Sequence, residues 1–169
     1  MSFMRDFFGG FAEGIVNGAA KQLRDAPTNG RASGHGRIER LCRELGWSVD
    51  QRDENGIVLY FSSSDGDKRK VRIAGGDKTL VGFSTFSYAV LAVRQVSSDL
   101  LAYLLQRNFN ESGIGTWSII VEDDEVSFHL CYTSLGEGLD APTLQYICES
   151  LANEAGDFDD KLRNAGVLE

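Results

Sequence analysis

Residues 115–134, GTWSIIVEDDEVSFHLCYTS, read as two alternating runs folded back on an acidic turn. A two-residue loop at Asp123-Asp124 pairs Val121 with Val126, Ile119 with Phe128 and Trp117 with Leu130, so the large apolar residues of both runs share one face. Ser118 then stands opposite His129 on the other. Alternation that stays in phase across a tight turn marks an antiparallel hairpin with one covered face. The cover must come from other parts of the chain.

Two amphipathic stretches flank this hairpin. Downstream, LDAPTLQYICESLANEAGDFDDKLRNAG (139–166) has Asp140 as N-cap, Pro142 in the first turn, and Leu144, Ile147, Leu151, Ala155, Phe158 and Leu162 on one stripe. It reads as a long helix closed by Gly166. Upstream, SSDLLAYLLQRN (97–108) offers Ser97 or Ser98 as N-cap and Leu100, Leu101, Leu104 and Leu105 as an apolar stripe.

Before that helix come GIVLYFSS (56–63), KRKVRIAGG (68–76) and TLVGFSTFSYAVLAV (79–93), separated by SSDGD and GGDK, which predicts an antiparallel meander. Two registers of its first turn stay open. A two-residue Asp65-Gly66 loop pairs Tyr60 with Val71, and a three-residue loop pairs Phe61 with Val71; the choice decides which face of the first strand is wet. RIERLCRELGW (37–47) repeats Ile38, Leu41, Cys42 and Leu45 at helical steps and ends at Gly46. Residues 25–36, DAPTNGRASGHG, have the composition of a flexible linker.

Ahead of the linker, residues 1–24 form an amphipathic helix on the wheel, with Phe7, Phe8, Phe11 and Ile15 on its apolar side and Gly10, Gly14 and Gly18 along one border. Interior glycines cost about 1 kcal/mol each relative to alanine, so this helix needs a surface to lie against. A membrane is the less favoured surface, because basic and acidic residues balance over 1–27 and give no attraction to anionic lipid. A groove on the domain, a second copy or a partner protein remains.

The chain has 169 residues and a net charge of -8, enough for one domain with a core of its own. Residues 110–169 carry thirteen acidic residues against Lys161 and Arg163. That field disfavours nucleic acid. Cys42, Cys131 and Cys148 match neither a disulfide framework nor a zinc pattern, which points to reduced thiols and a cytoplasmic location. The first residues lack the basic segment and unbroken apolar run of a secretory signal. No apolar run is long enough for a transmembrane helix.

The order helix, three strands, helix, two strands, helix, with LLAYLLQRNF leading into the acidic-turn hairpin and the GLDAPTL helix start, resembles the YbjN-type family and the wider type III secretion chaperone-like fold. The likeness spans roughly Arg37 to Gly166 and includes no catalytic signature. It implies an α+β domain with helices packed on a five-stranded antiparallel sheet. It also implies a non-enzymatic module that regulates or holds a protein client, compatible with a homodimer. The added N-terminal helix and linker depart from that pattern.

No residue pattern assigns a catalytic centre, a metal or a cofactor. His129 shares its strand face with Ser127 and Cys131, so an enzymatic site there is the minor alternative, since a lone strand histidine is as a rule structural. Glu122 to Glu125 lack the spacing of a calcium loop and suit a solubilising hairpin tip. The basic strand residues Arg69, Lys70 and Arg72 are the candidate contacts for an acidic partner or for the acidic C-terminal half, against the plainer reading of a charged strand that resists edge pairing.

Overall fold

The fold was described from a computed structural model, which covers residues 36–53, 56–63, 66–75, 80–110 and 113–168. The expected N-terminal helix, with Phe7, Phe8, Phe11 and Ile15, and the linker up to residue 35 lie outside the described residues. The elements in order are α1 (Gly36–Glu44), β1 (Gln51–Asp53), β2 (Gly56–Ser62), β3 (Lys68–Gly75), β4 (Leu80–Ala92), α2 (Ser98–Asn110), β5 (Thr116–Glu122), β6 (Glu125–Leu135) and α3 (Ala141–Asn164). Their sheet is antiparallel throughout, in the order β1-β2-β3-β4-β6-β5. It has six strands, not the five expected. The extra strand, β1, is a short polar segment, Gln-Arg-Asp, which alternation cannot flag and which hairpin pairing with β2 creates.

The hairpin β5–β6 has the expected register, Trp117 to Leu130, Ile119 to Phe128 and Val121 to Val126. Asp123 and Asp124 both take positive φ, 45° and 68°, as the tight turn between twisted strands requires. The first hairpin differs from both registers considered. Leu59 pairs with Val71 and Tyr60 with Lys70. Ser63 and Asp67 close the turn, Ser63 N–H donating to the Asp67 carbonyl at 2.9 Å, so the loop holds the three residues between them, with Gly66 at φ +85°. Gly66 thus ends the loop in the left-handed region, and this places the turn.

All three described helices lie on one face of the sheet. α3 is capped by Asp140, whose carboxylate accepts from Thr143 N–H at 2.8 Å, and it buries Leu144, Ile147, Leu151, Ala155, Phe158 and Leu162 across β2, β3, β4 and β6. α1 packs beside it through Ile38, Leu41 and Cys42. α2 covers β5 and is capped by Ser97, which accepts from Leu100 N–H at 3.1 Å. Its expected stripe is only half used: Leu104 is buried, whereas Leu105 is 68% exposed and Phe109 89%. α2 sits at the margin of the sheet, so one flank of its apolar surface has nothing beneath it among the described residues.

Candidate functional site on the open face of the sheet

Strand alternation sends Val81, Phe83, Ala89 and Leu91 of β4 into the core and Phe86, Tyr88 and Val90 to the opposite face, where each of the three is about half exposed. No helix covers this side among the described residues. A bulge lies in the middle of β4: Phe86 pairs with His129 and Val90 with Ser127, leaving Ser87, Tyr88 and Ala89 against Phe128 alone. The surplus is even, so the facing of the strand is preserved across it.

Side chains on this open face form rows across the sheet. One row runs Tyr60 to Lys70 between β2 and β3, then Phe86 to His129 and His129 to Ser118 across β4, β6 and β5. The next runs Val58, Arg72, Ser84, Cys131 and Thr116. Lys68 and Lys70 are exposed and Arg72 half-buried. The face is therefore basic along β3, aromatic in the middle, and acidic at the β5–β6 turn, where Glu122 pairs with Glu125.

Lys70 and Arg72 stand on this face as strand parity expects. Arg69 does not. It points to the helical side and is fully buried, 0% exposed, because a residue one position away from an outward lysine must face the core. There its guanidinium pairs with the carboxylate of Asp159 on α3, and its Nε donates to Ser63 Oγ at 3.2 Å. Asp159 also accepts from Ser87 Oγ and, at 2.9 Å, from Tyr88 N–H. The bulge turns that backbone N–H toward the helix. Pairing of β3 with β4 is confined to Arg72–Gly75 against Val81–Ser84. Beyond it Tyr88 reaches over, its ring 4.1 Å above the Arg69 guanidinium and its hydroxyl donating to the Lys68 carbonyl. Docking to the acidic C-terminal half, one of the two roles considered for this strand, is thus what Arg69 does, and it does so inside the core.

His129 stacks on Phe86, centroids 4.2 Å apart and planes 16° from parallel, and its Nδ1 lies 3.3 Å from Cys131 Sγ. Burial pushes the Cys131 thiol up to about 11, with a hydrogen bond from Ser118 pulling the other way. Burial also holds the His129 imidazole below its ordinary value. Both shifts favour neutral forms, whereas an activated thiol needs a thiolate beside an imidazolium. Cys42 is likewise raised to about 11 by burial, with Glu39 adding, and Cys148 is raised by burial. All three cysteines are free thiols. No cluster of three or more metal-ligating side chains occurs among the described residues, and no described helix is long and apolar enough to cross a membrane.

A depression of about 370 Å³ lies at the other edge, where β2 runs past the end of β1, lined by Trp47, Asp50, Tyr60, Phe61 and Lys68 among others. Trp47 meets Phe61 edge to face at 4.9 Å there. No protein-family model and no curated protein matches this chain.

Proposed function

We propose that this protein is a non-enzymatic binding module that holds or regulates a protein partner through the open face of its sheet. One observation carries the reading: Phe86, Tyr88 and Val90 expose large apolar side chains at successive outward positions of a central strand, with Tyr60 on the same face two strands away. Exposed apolar surface gathered on one face, with a basic border, is what a docking site for another chain looks like. The order of helices and strands supports the chaperone-like comparison, with β1 as an addition to it. The neutral His129–Cys131 pair supports the non-enzymatic half of the reading.

The test uses the full chain and reduced, carboxymethylated lactalbumin, which stays unfolded. Binding that falls in Phe86→Ser and Val90→Ser supports the reading; equal binding by these variants and the parent contradicts it. A second reading, self-association, is favoured by the exposed ridge of Leu105 and Phe109, one turn apart on α2. Light scattering on Leu105→Ser and Phe109→Ser separates it, since only a dimer built on this ridge loses mass on these changes.

A further inference from the structure

The open face is not uniformly apolar, and its polarity selects a partner. Lys68, Lys70 and Arg72 occupy its β3 border, where the one described acidic neighbour in sequence, Asp67, is paired with Arg163. Asp159 and Glu154 bond to Arg69 and Arg107 on the helical side of the sheet, and Glu122 and Glu125 stand on the open face at the β5–β6 turn, three and two strands from β3. Neither Lys68 nor Lys70 is paired with a carboxylate among the described residues. The same face exposes Tyr60, Phe86 and Val90, with Leu80 and Leu135 paired at its far end, while the hydroxyl and ring of Tyr88 are engaged over β3.

We propose that the occupant of this face is an acidic amphipathic segment of another protein, its apolar side lying on Phe86, Val90 and Tyr60 and its carboxylates meeting the lysines of β3. The inference rests on the protein-binding reading above and adds the sign of the partner. Charge complementarity at the border of an apolar patch fixes orientation and excludes like-charged partners. A single-stranded nucleic acid is the competing anion, but it needs open ring faces on which bases stack. Phe86 and His129 spend a face of each ring on one another, and a phosphate backbone meets a chain of net charge -8.

The experiment measures fluorescence anisotropy of labelled probes with the full chain. The probes are a helical peptide with leucines on one side and glutamates along the rest, its twin with lysine for every glutamate, and oligouridylate. The glutamate peptide binds tightest, and Lys70→Glu weakens it about tenfold or more, as like-charge juxtaposition requires. Phe86→Ser weakens both peptides. Thermal unfolding of each variant, expected to match the parent because both residues are on the surface, separates lost binding from lost folding. If the lysine twin binds at least as tightly, or Lys70→Glu leaves the affinity unchanged, the acidic assignment is overturned while the protein-binding reading stands. Tighter binding of oligouridylate with a steep salt dependence overturns both, as does binding of no probe.

Discussion

Arg69 on β3 and Asp159 on α3 form an ion pair with no solvent exposure on either side chain, and it ties the sheet to its longest helix at the point where β3 and β4 separate. The carboxylate is satisfied further by Ser87 and by the Tyr88 backbone at the β4 bulge. Removing one partner strands a buried charge, which costs about 3–5 kcal/mol. Arg69→Met and Asp159→Leu should each lower urea stability by that amount, and the double variant should recover most of it. A double variant no better than the sum of the singles contradicts the coupling.

Thr85 points into the core one position before Phe86, 1% exposed, and its hydroxyl has no hydrogen-bond partner among the described residues. Burial of an unsatisfied hydroxyl is costly, and valine has the same shape without it. Thr85→Val is expected to raise stability by about 1 kcal/mol, read from denaturant midpoints. A loss of stability would show that the hydroxyl has a bonded role.

Gly115 enters β5 at φ +88°, and a Cβ there would lie 2.6 Å from the Cys131 carbonyl oxygen. Gly115→Ala should cost about 1–3 kcal/mol through backbone strain and that clash. A neutral result would mean that the strand entry relaxes freely.

Burial holds the folded His129 below its ordinary value of 6.5. As pH falls through 6.5 the unfolded chain takes up the proton first, so stability present above that pH is lost below it, until the folded imidazole also protonates. His129→Gln should flatten this part of the curve. The check is the difference in urea midpoint between parent and variant as pH is lowered through the histidine range; a constant difference contradicts the shift.

The parts of the fold legible in the sequence are those where one local rule acts alone. The β5–β6 register follows from alternation plus a two-residue turn, and α3 follows from its cap and stripe. Placement of the first turn rested on which residue took the left-handed position, and Gly66 did so at the end of its loop. β1 has no apolar pattern to read. Asp159 sits among acids in the stretch AGDFDD, where composition suggests a wet helix face; only the packed helix shows that it turns inward to Arg69.

For the candidate site, Lys70 and Arg72 were placed on one face by parity, and the same parity moved Arg69 off it. Phe86, Tyr88 and Val90 belong to no motif that marks them as site residues. The signal was present in TLVGFSTFSYAVLAV, whose second half is apolar or aromatic at outward and inward positions alike, a pattern expected where both faces of a strand meet something. Without the sheet order, nothing told which face lacked a cover.

The most direct test of the central claim is to map, by backbone amide chemical shifts of the full chain, where the glutamate-flanked peptide binds. The account expects perturbations centred on Lys70, Phe86, Val90 and His129 of the open face. Shifts clustered on Leu105 and Phe109 of α2, or around Trp47 and Phe61 at the β2 edge, would contradict it.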